Sequence, residues 1–204
     1  DELISVPEIA SLFLQAAGTD VPVSFMETTL PGIVGLDDFE SKAPNDYVVF
    51  GKEKHNAARE NNMGYPIRSI RTEDFLLVKN YEPDRWPAGD PPCYKDLNWG
   101  THETSIMYEL NHQTDKEVAP YFKLHTQKRP EIELYNIKKD PYCLNNLVFK
   151  KRYSKKVNEM LRTLEEKLRK DGDPRILGDG ECFDSAPSSF TNPGDYETDK
   201  PIFR

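Results

Sequence analysis

Residues 152–170 place Tyr153, Val157, Met160, Leu161, Leu164 and Leu168 at three- and four-residue spacing. That spacing predicts an amphipathic helix with one apolar face. Such a stripe is stable only when buried against another element, and the chain supplies strands to receive it. Residues 67–71 and 75–81 flank Thr72, Glu73 and Asp74 and read as a hairpin. Ile132, Leu134 and Ile137 mark a further strand, ended by a turn at Asp140-Pro141. One antiparallel sheet with the 152–170 helix laid across it is therefore the expected core.

Around this core the chain reads in segments. Ser5 and Glu8 form a capping box, Ile9, Leu12, Phe13 and Ala16 form a stripe, and Gly18 stops the helix they predict. Residues 21–44 read as an irregular connection. The run Tyr47-Val48-Val49-Phe50 has the continuous apolar pattern of a strand buried on both faces, as in a parallel sheet covered by helices. Residues 82–92 hold four of the sixteen prolines and read as an extended surface loop. Residues 103–111 and 116–126 read as helices. From residue 171 onward, Asp, Gly, Ser and Pro dominate, and an extended tail is expected, ordered only where it packs back.

A net charge of −8 opposes nonspecific binding to a phosphate backbone, so nucleic acid is not an expected partner. No apolar run reaches the length of a membrane span, and the chain, opening Asp1-Glu2-Leu3, is expected to begin within a longer protein. Cys93, Cys143 and Cys182 are widely spaced and make no zinc motif.

The candidate site residues cluster after the Tyr47–Phe50 run. Ligands of open α/β sheets bind beyond the carboxyl ends of strands, which places His55 where chemistry is usual. Its position makes it the first site candidate; a loop histidine is the plain alternative. Arg59, Arg68 and Arg71 offer bidentate donors to sulfate or carboxylate. Strand alternation puts Arg68 and Arg71 on opposite faces, so the two cannot serve one site, and Arg71 reads as hairpin charge. Arg85 and Trp86 in the proline-rich loop are candidates as a hydrogen-bond donor and a stacking face, against a Trp that merely pins the loop. Tyr135 and Asp140 read as structural, a packed aromatic and a turn-capping carboxylate.

Two long stretches carry a resemblance. "HNAARENNMGYPIRSIRTEDFLLVKNYEPDRWPAGDP", followed by "KRPEIELYNIKKDPYCLNNLV", resembles the C-terminal part of sulfatases, closest to the heparan N-sulfatase (sulfamidase) branch. The pattern from Glu133 to Leu147 carries the general likeness, and the MGYPIRSIRT and RWPAGDP stretches carry the branch. "SVPEIASLFLQAAG" is similar to a family helix, with Glu8 and Ser11 where Asp and Pro are usual. The resemblance implies an α/β, alkaline-phosphatase-like sulfatase fold. Residues 1–61 would be the C-terminal end of the large catalytic α/β domain, its last helix and strand. Residues 62–170 would be an α+β subdomain with a small antiparallel sheet and a packed helix, and 171–204 an extended tail.

The family hydrolyses sulfate esters or sulfamates of sulfated saccharides such as glycosaminoglycans, with a formylglycine made from a C/S-x-P-x-R motif and a calcium ion. Neither is expected in this chain. Cys93, Cys143 and Cys182 lack the motif, and Ser5-Val6-Pro7-Glu8-Ile9 begins like its serine form but lacks the Arg. The resemblance thus implies a missing N-terminal catalytic portion, a chain inactive alone, and a periplasmic, secreted or lysosomal setting. A related phosphohydrolase and a non-catalytic sulfated-glycan-binding or interaction module are the alternatives. Without that portion, the Ile9, Leu12, Phe13 stripe and the Tyr47–Phe50 strand are expected to lack cover and to promote association. A shortened chain starting near Asn62 is expected to stay more soluble.

Overall fold

The computed structural model describes residues 3, 9–10, 13–14, 16–20, 45–54, 59–91, 116–178 and 180–186. Its strands are β1 (Val48–Lys52), β2 (Ile67–Arg71), β3 (Phe75–Asn80) and β4 (Ile132–Asn136), and its helices α1 (Ala119–Thr126), α2 (Ser154–Lys170), α3 (Pro174–Leu177) and α4 (Glu181–Asp184). The strands form one sheet in the order β1-β2-β3-β4, every neighbouring pair antiparallel.

Register puts Leu77 of β3 opposite Ile70 of β2 and Leu134 of β4. Because side chains alternate across a strand, this row points to one face. There Ile70, Leu77 and Leu134 are at most 1% exposed, and they meet Val157, Met160, Leu164 and Leu168 of α2. Each large apolar side chain so buried stabilises the fold by about 1.5–3 kcal/mol. The expected core is present, with α2 entered through a short 3-10 turn, Lys151–Tyr153.

The β2–β3 hairpin closes through Thr72, whose N–H donates to the Phe75 carbonyl at 2.9 Å and whose Oγ1 accepts from the Phe75 N–H at 3.1 Å. Of the 116–126 segment, the helical part begins at Ala119, with Pro120 in the first turn where its missing N–H costs nothing.

The parallel-sheet expectation for Tyr47–Phe50 is corrected. Among the described residues β1 is an antiparallel edge strand of the small sheet, pairing only with β2. Tyr47 and Val49 pack against the core while Phe50 is 48% exposed. Four apolar residues in a row satisfy either a doubly covered strand or an edge strand with one face packed, and the run alone does not choose. β1 also joins residues before position 61 to strands after it.

The capping box at Ser5 and Glu8, the 21–44 connection and the 103–111 helix lie outside the described residues. At the described positions Ile9, Ala10, Phe13, Leu14 and Ala16 are helical. Gly18 follows at φ +67°, and the Thr19 N–H returns to the Leu14 carbonyl at 3.0 Å, the left-handed stop that glycine favours. The start of the expected extended tail is instead folded as α3 and α4, both tied back by charge.

Candidate functional site

On the sheet face opposite α2, alternation presents Leu76 and Val78 with Asn80 of β3, and Glu133 with Tyr135 of β4. A polar end in otherwise apolar strands needs internal partners once buried. Asn80 Nδ2 donates to Glu133 Oε1 at 2.9 Å and to the Pro130 carbonyl at 2.7 Å. The Tyr135 hydroxyl donates to Glu133 Oε2 at 2.5 Å. A carboxylate only 6% exposed is thus held by two donors, and burial together with that hydrogen bond pushes the Tyr135 pKa well above its usual range.

These residues floor a cleft of about 520 Å³, walled by α1 and the 141–144 turn. Tyr121 and Tyr142 stand at its rim, 58% and 81% exposed. His125 and Arg129 line it as well. Arg129 Nη2 donates to the Leu124 carbonyl at 2.5 Å, satisfying one of the last carbonyls of α1. Partial burial, then the Arg129 charge, lowers the His125 pKa below its usual value, which favours the neutral ring. Tyr65 completes the wall. Burial and the Glu133 charge, against smaller opposite effects of Arg129 and Arg59, push its pKa up to about 12. The exposed Tyr121 and Tyr142 rings offer flat apolar faces at the rim, while the Asn80 amide and the Glu133 carboxylate are buried and bonded to each other beneath it.

Of the residues singled out from the sequence, Arg59, Arg68, Arg85 and Trp86 lie elsewhere. His55 is outside the described residues. Arg59 is 1% exposed, donating to the carbonyls of Trp86 and Pro87 at 2.8 and 2.7 Å, with its guanidinium 5.4 Å from the Tyr65 ring centroid. It holds the proline-rich loop by its backbone. The Trp86 ring carries the Lys128 ammonium at 5.4 Å.

Arg68 points to the α2 side, bonded to Glu53 at 2.5 Å and Asp173 at 2.7 Å. Burial would lower its pKa, but those two carboxylates outweigh it and raise it. Glu53 also takes Arg175 at 2.8 Å. Arg175 lies 3.8 Å from Asp184, which accepts from Arg85 at 3.2 Å and from the Gly64 N–H at 3.0 Å. Arg68 and Arg85 therefore belong to one chain of ion pairs, three cations against four carboxylates with Glu82 3.7 Å from Arg85, that ties α3 to the sheet and α4 to the proline-rich loop. Gly64 admits this closure, since a Cβ there would sit 2.5 Å from the Glu53 carbonyl oxygen.

Sequence reasoning missed Glu53, Asp173, Arg175 and Asp184, whose partners lie up to 122 residues away. It also missed Asn80, His125, Arg129 and Glu133. For Asn80 and Glu133 a signal existed, polar residues within two mostly apolar strands that also carry Lys79 and Asn136. Tyr135 and Asp140 hold the structural places expected of them, Asp140 accepting from the Leu144 and Asn145 N–H groups at 3.1 and 2.8 Å.

No family model matches the chain. An ulvan-active sulfatase from Formosa agariphila is 24% identical over 182 residues, covering 89% of this chain and 28% of that protein. A solved structure in complex with its substrate D-glucosamine-2-N,6-O-disulfate shares 21% identity at a TM-score of 0.48, covering 82% of this chain and 25% of the other. A 2-O GAG sulfatase shares 18% identity at a TM-score of 0.46, covering 91% and 30%. The chain spans about 28% of the curated relative's length, and over nine-tenths of its own length it is similar to part of a sulfatase.

Proposed function

We propose that this chain is the C-terminal portion of an alkaline-phosphatase-like sulfatase that hydrolyses sulfate esters or sulfamates of sulfated saccharides, with the heparan N-sulfatase-like reading as its finer form. The observation that carries it is the 182-residue likeness to the ulvan-active sulfatase, which leaves most of that relative's length unmatched. The tyrosine-rimmed cleft supports a saccharide substrate. Among the described residues no group of three or more His, Cys, Asp or Glu side chains is placed to hold a metal ion. Calcium and the formylglycine nucleophile would supply charge neutralisation and covalent sulfate transfer, and the family resemblance is the ground on which the proposal assigns them to a portion outside this chain.

On this reading the chain's own residues bind and orient. His55 remains the proposed donor to the sulfate-bearing group, while Arg68 and Arg85 act through the fold they brace. The protein is assigned to a periplasmic, secreted or lysosomal setting; no described helix is long and apolar enough to cross a membrane.

The test is to extend the coding region upstream of Asp1, express the longer protein with its maturation factor, and measure sulfate release from matched N-sulfated and O-sulfated disaccharides. Release that requires an upstream C/S-x-P-x-R motif supports the reading. Phosphate but not sulfate release, or no such motif, overturns it.

A further inference from the structure

Five of the seven residues 150–156 are Lys or Arg, in a chain whose net charge is −8. They gather where the 3-10 turn Lys151–Tyr153 runs into α2, whose first turn holds no acidic residue. The placement works against stability. The start of a helix carries partial positive charge, so cations there are disfavoured and like charges one turn apart repel. Nor is the cost offset locally. Lys156 pairs with Glu159 at 3.2 Å, but among the described residues Lys150, Lys151, Arg152 and Lys155 make no ion pair. Arg152 lies 5.0 Å over the Tyr153 ring. Beside them Phe149 is 81% exposed, an apolar face at the edge of the charge. The arginines of the clasp show that this chain neutralises its cations where they serve only structure. A cluster that breaks this local rule without compensation marks a place kept for a partner.

We infer that Lys150, Lys151, Arg152 and Lys155, with Phe149, form a docking surface for a sulfated polysaccharide. Closely spaced flexible ammonium groups suit a polymer carrying a regular row of sulfates, and its counterions are released on contact. The acidic remainder of the chain repels the same polymer, which confines it to this surface. The surface lies at the start of α2 and not in the cleft, so it holds a long chain rather than the unit being hydrolysed. The choice of a sulfated saccharide over other polyanions rests on the proposed function; the existence of the surface does not.

The experiment uses the 204-residue chain and measures binding to heparin, to dextran of similar length and to a DNA duplex across a salt series. A K150Q/K151Q/K155Q variant is compared with K123Q/R169Q/K170Q, which removes the same charge elsewhere. Heparin affinity is expected to fall at least about tenfold in the first variant, with a salt dependence shallower by about three charges, and to change little in the second. The melting temperature of the first should stay equal or rise, which separates lost binding from lost folding. Equal losses in both variants, no heparin binding at 0.15 M salt, or DNA binding as tight as heparin overturns the inference. Sulfate release from a disaccharide by the longer protein, too short a substrate to span both surfaces, tests the proposed function separately.

Discussion

The two faces of the sheet are built from the same strands and have opposite characters. Toward α2, Ile70, Leu77 and Leu134 form a row closed by Leu164, none of them more than 1% exposed. On the other side, Phe50 is 48% exposed, and the cleft floor carries a carboxylate, an amide and a phenol bonded to one another. The first face is held by apolar area, which is additive and tolerant of detail. The second is held by a few directional bonds, each of which must be present because an unpaired buried polar group costs about 1–3 kcal/mol. Apolar packing therefore holds the α2 side, and a few directional polar bonds hold the other.

The strongest way to break this division is to remove β1. A chain beginning at Asn62 loses the β1–β2 ladder, the packing of Tyr47 and Val49, and Glu53, whose carboxylate holds Arg68 and Arg175 and whose carbonyl takes the Tyr65 N–H at 2.8 Å. Stranding a buried guanidinium costs about 3–5 kcal/mol, a large part of the roughly 5–15 kcal/mol that a domain possesses. The expectation that such a chain is the more soluble one is thereby reversed. Circular dichroism and sedimentation of both chains should show the shorter one unfolded or associated.

Next in size is a contrast between neighbours. Leu77 faces α2 at 0% exposure, whereas Leu76, one residue earlier, faces the cleft. Leu77→Ala should cost about 2–5 kcal/mol in urea unfolding, and Leu76→Ala about 1 kcal/mol or less. Equal costs would mean that the cleft face is as tightly packed as the core.

The clasp gives an acid-side test. Asp184 is drawn in opposite directions by its partial burial, which raises its pKa, and by Arg85, the Gly64 N–H and Arg175, which prevail and hold it below the usual carboxylate range. A folded pKa below the unfolded value of about 3.9 contributes stability above that pH and loses it as pH falls through the folded value. Asp184→Asn should therefore lower stability at pH 6 and narrow the difference from the parent below about pH 4. A constant difference across that range would show that the contact does not depend on charge.

How much of this was legible follows from range. α2 and the hairpin were readable because their signals, a stripe with helical spacing and two apolar runs around Thr72-Glu73-Asp74, lie within twenty residues. β1 was read as a strand, but its partners were not, since pairing is a property of the sheet. The site was hardly legible. Arg68 and Arg85 looked like ligand donors because the carboxylates that hold them most closely, Glu53, Asp173 and Asp184, lie fifteen or more residues away in sequence. Arg129 carries no local signal, because only the fold sets it against His125 and the tyrosines.

The smallest expected effect is also the sharpest probe of the polar face. Tyr65 is 3% exposed, and among the described residues its hydroxyl has no hydrogen-bond partner, although its ring packs beneath the Arg59 guanidinium. A buried hydroxyl without a partner carries a desolvation penalty, so Tyr65→Phe should keep the ring contacts and leave stability at pH 7 unchanged or raise it by about 1 kcal/mol. At alkaline pH the two proteins should separate. The Tyr65 pKa rises to about 12 on folding, from an unfolded value of 10.0. A folded pKa above the unfolded one contributes stability fully present below pH 10 that is lost as pH rises through 12. The parent should therefore lose stability over that window more steeply than Tyr65→Phe, read by urea midpoints at pH 9 and pH 11. A loss of more than 1 kcal/mol at pH 7 would instead show that the hydroxyl is bonded in solution, and would put Tyr65 among the groups that hold the cleft together.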